Sequence, residues 1–393
     1  MKKICVVTSE ESFRNNYGAA LQGYALCETL KKMGYTPLVL RYQGGMPQPQ
    51  VKFKGLRKVK FLLGRTKRQI LFRIRNHQEI KYERKYKRQI EKREEYFCNF
   101  ADSKFAFIND KRESWFDIKE NPPHADIYLC GSDQIWNPFF KNGRNDLGYF
   151  LDFAPMNKPR IAYAPSFGCS ELPDPAKSNI SELLSKFKAV SIREEAGSHI
   201  IKKETGMNVP VVADPTLLFT SQEWETVEKK VDGVPEKYIL CYRFSDNPET
   251  KKSIDDISQK LDIPVVTLPL SVPALGDKNY QQVFNAGPAE FVWLIHHATL
   301  VCTDSFHATV FSLLFHTPFL VFLRENFAGN SGNMNSRIEN LMSIACSNNR
   351  VVTGELITSD VDEILNMSFS NFDENVRHLR ESSLKWLGDA LGD

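Results

Sequence analysis

Four short segments of the 393-residue chain hold more polar side chains and glycines than a simple turn needs. In Val301-Cys-Thr-Asp-Ser-Phe-His-Ala-Thr309 an apolar run passes into Thr303, Asp304 and Ser305, and a helix is expected from Phe306. His307 would sit in that helix's first turn, where the positive end of the helix dipole favours anions and lowers an imidazole pKa. A lone histidine is often only a structural hydrogen-bonder. This one has Asp304 and Ser305 beside it at a strand end, which favours acid–base or anion-binding work. In Cys130-Gly-Ser-Asp-Gln-Ile-Trp-Asn137, Gly131 and Ser132 can form a nest of N–H groups. Asp133, Gln134 and Asn137 offer partners for sugar hydroxyls, while Trp136 either stacks on a sugar ring or packs in a core.

The third segment is Arg14-Asn-Asn-Tyr-Gly-Ala-Ala-Leu-Gln22, where Gly18 allows close backbone approach at a helix N-terminus. An ordinary strand-to-helix turn capped by Asn16 explains it equally well, and without a GxGxxG pattern no dinucleotide is indicated. The fourth is Cys241-Tyr-Arg-Phe244. An arginine leaving a parallel strand end is suited to bidentate grip on carboxylate or phosphate, although a surface ion pair is the bland alternative. Arg337, in Asn333-Met-Asn-Ser-Arg337, is a weaker candidate of the same kind.

Parallel strands must carry these loops, because in open α/β sheets ligands bind beyond the strands' carboxyl ends. The strand-like runs are Ile4–Thr8, Leu38–Tyr42, Ile127–Cys130, Arg160–Ala164, Ala189–Ile192, Val209–Ala213, Tyr238–Tyr242, Val265–Leu268, Leu300–Thr303 and Phe319–Phe322. Most are apolar without alternation, as strands covered on both faces should be. Helical spacing marks Gly18–Met33, Ser221–Lys229, Pro288–His297, Phe306–His316 and an amphipathic Phe372–Leu391. Strand–helix alternation throughout predicts α/β layers. The predicted domains are 1–218 and 219–370, meeting near Asp214-Pro-Thr-Leu-Leu-Phe219. A last helix over 371–393 must dock somewhere, and a return to the N-terminal domain is one option.

The formal net charge is only +3, yet Lys52–Arg93 holds 17 Lys or Arg against three Glu, a local +14. The remainder has 34 basic and 45 acidic residues. A basic insert over about 52–97 therefore suits an anionic surface, with a membrane, an acceptor or a solvated helix over Arg68–Phe97 as readings. No nucleic-acid motif accompanies it, so nucleic acid is not favoured. No apolar run approaches the roughly 18–20 residues needed to span a bilayer. The eight cysteines form no CxxC pair, which predicts a reduced, cytoplasmic protein with no metal centre.

With these segments laid out, the chain resembles the polysaccharide pyruvyl transferase family. Asn16–Gln22, Gly131–Asn137, Tyr163–Gly168, Ser191–Glu194, Asp214–Thr216, Thr303–His307 and Asn335–Arg337 carry the resemblance. It implies two Rossmann-like domains facing across a cleft, as in glycosyltransferase B folds. It also implies transfer of a pyruvyl group from phosphoenolpyruvate to a sugar of a surface polysaccharide, such as a capsule or exopolysaccharide, or of its lipid-linked precursor, with no cofactor. On this reading His307 and Asp133 are catalytic. Arg243, Asp304, Ser305, Phe306 and Arg337 hold the donor, and Asn16, Tyr17, Gly18, Ser132, Gln134, Trp136 and Asn137 hold the acceptor. A nucleotide-sugar glycosyltransferase and a non-catalytic glycan- or membrane-binding module are the rival readings on the same fold.

Overall fold

The computed structural model describes residues 1–44, 84–245, 247–269, 279–324, 335–353 and 361–392. Among these, two parallel sheets form. The first has the order β2-β1-β3-β4-β5, from Thr36–Val39, Lys3–Val7, Ile127–Cys130, Arg160–Ala162 and Ala189–Val190. The second has the order β11-β10-β9-β6-β7-β8, from Val351–Val352, Phe319–Phe322, Leu300–Thr303, Ile239–Tyr242, Val265–Thr267 and Gln281–Gln282. The strands lack polar alternation because both faces are covered. In β1, Ile4 and Val6 enter one core while Cys5 and Val7 enter another. In β6, Leu240 and Tyr242 face inward and Ile239 and Cys241 outward.

In each sheet the chain reverses its direction of growth once. The reversal lies between β1 and β3 in the first sheet and between β6 and β9 in the second. The crevices at those two points are where an α/β sheet binds ligands.

The inward core is continuous between the halves. Of the first helix, Tyr17–Lys32, residues from Tyr17 to Cys27 are all buried, too apolar a cylinder for a surface position. Tyr17 stacks on Phe291 of the second domain with ring centres 4.5 Å apart, and its hydroxyl donates to the Ala286 carbonyl at 3.0 Å. Two further helices cross from one half to the other. Lys87–Lys104 sends Arg93 to the Pro269 carbonyl at 2.6 Å, while its Phe97 ring meets Tyr17 at 4.8 Å. Ser370–Leu391 starts on the second domain, where Asn375 donates to the Ile344 carbonyl. It ends on the first, where the Ser383 hydroxyl accepts the Ala213 N–H at 2.9 Å and Tyr35 donates to the Leu391 carbonyl.

Several expectations are corrected. Val209–Ala213 contributes a single bridge, Val211 to Ile192, since the chain is already turning out of the sheet. The edge strands β8 and β11 have two residues each, too short for a periodic signal. Most of the expected Arg68–Phe97 helix lies outside the described residues, and its described end runs to Lys104. All eight cysteines are free thiols. Among the described residues no helix is long and apolar enough to cross a membrane.

The interdomain core sets the first expected outcome. Tyr17→Ala should lose about 3–5 kcal/mol in urea unfolding, as for other large buried aromatics. Tyr17→Phe, which forfeits only the bond to Ala286, should lose about 1 kcal/mol.

Candidate active site in the interdomain cleft

Past β3 the backbone turns at Gly131, whose φ is +139°. A β-carbon there would stand 1.9 Å from the Tyr163 carbonyl oxygen, so only glycine fits. Ser132 then locks the loop from behind. Its N–H donates to Gln22 Oε1 at 3.1 Å, and its hydroxyl donates to the Ala164 carbonyl at 2.6 Å. Gln22 is in turn fixed by donating to Thr8 Oγ1 at 2.9 Å. The result presents Asp133, Gln134 and Asn137 to a cavity of about 440 Å³ between the domains.

The second domain supplies the facing wall. Beyond β9, Asp304 is buried and accepts the Phe244 and Ser245 N–H groups at 2.9 and 2.8 Å, with Arg324 Nη2 at 3.3 Å. Ser305 caps the helix Phe306–Leu314 by accepting the Ala308 N–H at 3.4 Å. His307 follows in the first turn, and its ring rests on the backbone of Gly18 from the other domain. A β-carbon at position 18 would stand 2.0 Å from His307 Nδ1.

Beneath the histidine lies a buried charge cluster. Arg193 reaches Asp214 at 2.7 Å, Asp133 at 3.7 Å and Glu194 at 3.8 Å. Burial acts to lower the Arg193 pKa, but these carboxylates outweigh it and raise it. Asp214 also accepts the Thr216 N–H and hydroxyl and lies 3.8 Å from His307 Nε2. Burial alone would raise the Asp214 pKa. Arg193, His307 and the hydrogen bonds hold it below the ordinary carboxylate value.

His307 is shifted downward, chiefly by burial and further by Arg193 and Arg337, against the pull of Asp214 and Asp133. Its Nε2 is buried without a hydrogen-bond partner. Arg337 is pushed down to about 10 by burial, with Arg193 adding to the effect, and remains a cation at neutral pH. Arg193 and Arg337 lie 4.8 and 5.7 Å from the centre of the Phe306 ring.

The cavity brings together Asn16, Asp133, Gln134 and Asn137 from the first domain with Ser305, Phe306, His307 and Arg337 from the second. Six residues expected to contact substrate stand behind its wall instead. Tyr17 is spent on the interdomain stack, and Gly18 seats the His307 ring. Ser132 and Asp304 are buried holders of loops. Trp136 packs face to face on Phe150 at 4.7 Å and donates to the Tyr149 carbonyl, so the packing reading applies to it. Arg243 is buried, with Nη1 directed at the Ser245 carbonyl, and does not line this cavity.

Sequence reasoning missed Ser9, Glu11, Ser12, Phe140, Lys141, Tyr149, Phe244 and Arg324 in the lining. Arg324 had a readable signal. It follows β10 by two residues, much as Arg243 follows β6. Away from the cleft, Glu228, His296 and His297 bring potential metal ligands within 4.8 Å of one another. His296 bonds Glu228 at 2.9 Å there.

The His307 shift has a defined sign. Its folded pKa lies below the ordinary 6.5, so between the two values the unfolded chain binds more protons and stability rises with pH. Urea midpoints should therefore climb as pH rises toward the ordinary value of 6.5, and His307→Gln should flatten that climb.

A model of the family described as polysaccharide pyruvyl transferase matches residues 16–326. No curated protein is recognisably similar to the chain in sequence. Among solved structures, UDP-GlcNAc 2-epimerase from Methanocaldococcus jannaschii is 13% identical with a TM-score of 0.53, covering 97% of this chain and 99% of that one. UDP-N-acetylglucosamine 2-epimerase from Rickettsia bellii is 10% identical with a TM-score of 0.50, covering 98% and 96%. At such identities the likeness shows the fold, two Rossmann-like domains of glycosyltransferase B type.

Proposed function

The chain belongs to the polysaccharide pyruvyl transferase family, and from that premise we propose that it transfers the pyruvyl group of phosphoenolpyruvate to two hydroxyls of a sugar, forming a carboxyethylidene ketal. The observation that carries this reading is a cavity whose lining brings His307, Arg324 and Arg337 together with Asp133. Phosphoenolpyruvate brings a carboxylate, a phosphate and an electron-rich methylene. Two arginines and the start of the helix Phe306–Leu314 suit its charges.

The reaction needs a proton at C3, which leaves C2 electron-poor. One sugar hydroxyl adds at C2, phosphate departs with the electrons of its C–O bond, and a second hydroxyl closes the ring. Of the two hydroxyl protons, one replaces that given to C3 and the other leaves with phosphate. Burial lowers the His307 pKa and so favours the neutral imidazole, whereas a bound polyanion favours its protonated form. Donor binding thus brings in the proton that C3 takes, or the charge that grips the phosphate. Asp133, on the lining of the same cavity, accepts the hydroxyl proton.

The acceptor in this reading is a sugar of a surface polysaccharide or its lipid-linked precursor, met at the inner face of the membrane. The basic stretch from Lys52 supplies the anionic contact. A nucleotide-sugar donor would use the same arginines. Titration with phosphoenolpyruvate against UDP- and CMP-sugars separates the two.

Mass spectrometry of lipid-linked glycans incubated with phosphoenolpyruvate should show a gain of one pyruvate less water, with phosphate released. His307→Ala should slow this transfer by about 10²–10⁴-fold, and an unchanged rate would refute its role. Arg324→Ala should raise the KM for phosphoenolpyruvate about tenfold or more, as expected on losing a charge-assisted anion contact.

A further inference from the structure

Single apolar side chains on a folded surface are ordinary, but exposed ones that gather in one cavity point to a ligand. Among the described residues the large exposed ones are Met1, Phe116, Phe140, Met156 and Phe244, and two of the five, Phe140 and Phe244, line the interdomain cavity. They come from opposite domains. Their circumstances differ. Phe244 already carries the Arg324 guanidinium at 4.5 Å and the edge of Tyr242 at 5.2 Å. Phe140 is 61% exposed, and among the described residues no ring or cation stacks on it.

Phe140 is nonetheless held firmly at its backbone. It lies in the short 3-10 turn Pro138–Lys141, where the Asn137 side chain accepts the Phe139 N–H at 3.0 Å and the Gly143 N–H closes onto the Pro138 carbonyl. Its cavity neighbours are polar. Gln134 and Asn137 lie on one side of the sequence and Lys141 follows directly, with Glu11 3.9 Å from the lysine Nζ. An exposed aromatic ring that shares a cavity with amide, carboxylate and ammonium groups suits a pyranose. The sugar's C–H face is apolar and slightly positive against the negative face of the ring, and its hydroxyls point outward to polar partners.

We propose that Phe140 is the stacking platform of the acceptor subsite and selects pyranoses that present an uninterrupted C–H face. That the bound sugar is the acceptor rests on the pyruvyl-transfer reading. That a sugar binds on Phe140 does not.

The probes are the methyl α- and β-glycosides of glucose, galactose, mannose and their N-acetylated forms, titrated calorimetrically without phosphoenolpyruvate. At least one should bind the wild type about tenfold more tightly than Phe140→Ala, the loss expected for a single aromatic contact. Phe140→Trp should retain binding, and Phe116→Ala, outside the cavity lining, should match the wild type. Thermal melts confirm that each variant is folded. No binding to the wild type, or equal binding to Phe140→Ala, overturns the platform. Glycoside binding that depends on Phe140 without transfer from phosphoenolpyruvate would instead keep the platform and refute the donor.

Discussion

Arg193 is a cation taken wholly out of water, and such a charge persists only where carboxylates close in on it. Asp214 does so at 2.7 Å, with Asp133 and Glu194 a little farther off. Each of those three acids has a second duty. Glu194 accepts the Ser166 hydroxyl and so steadies the loop after β4. Asp133 lines the cleft. Asp214 caps the turn by which the chain leaves the first domain, and its other oxygen looks toward His307. Removing either member of the central pair would leave an uncompensated buried charge and loosen all three. The site is therefore built outward from an ion pair that lies beneath the cavity.

The sheets were readable because parallel strands are apolar on both faces, and nine of the ten runs of that kind became strands, Val209–Ala213 being the exception. The cleft loops were readable for a related reason. Asp133, Gln134, Asn137, Ser305 and His307 occupy strand ends at the two reversal points, where few polar groups are needed for folding alone. What failed was the choice between touching the cavity and supporting it. Ser132 and Asp133 are adjacent, yet one faces Gln22 and the other the cleft, and only the path of the backbone at Gly131 decides which. Arg243 and Arg324 follow neighbouring kinds of strand, and nothing in either local sequence says which one bends back into its own domain. Tyr17 looked like a ligand residue because it sits among such residues. Its partner Phe291 lies 274 positions away, beyond any local pattern.

The charge asymmetry has gained a structural boundary. The last part of the basic stretch is no free arm. From Lys87 it forms a helix whose apolar side joins Tyr17 and Tyr24 of one domain and whose Arg93 bonds a carbonyl of the other. Its remaining lysines and arginines, such as Lys87, Arg88 and Lys92, stay exposed. The same helix thus joins the two halves and displays positive charge.

His307 belongs by sequence to the second domain, but the floor it rests on is the bare backbone of Gly18 in the first. Each half therefore holds one part of the seat. A single methyl group added in the first domain at position 18 would collide with a side chain of the second, so a change in one half is felt as a displaced ring in the other.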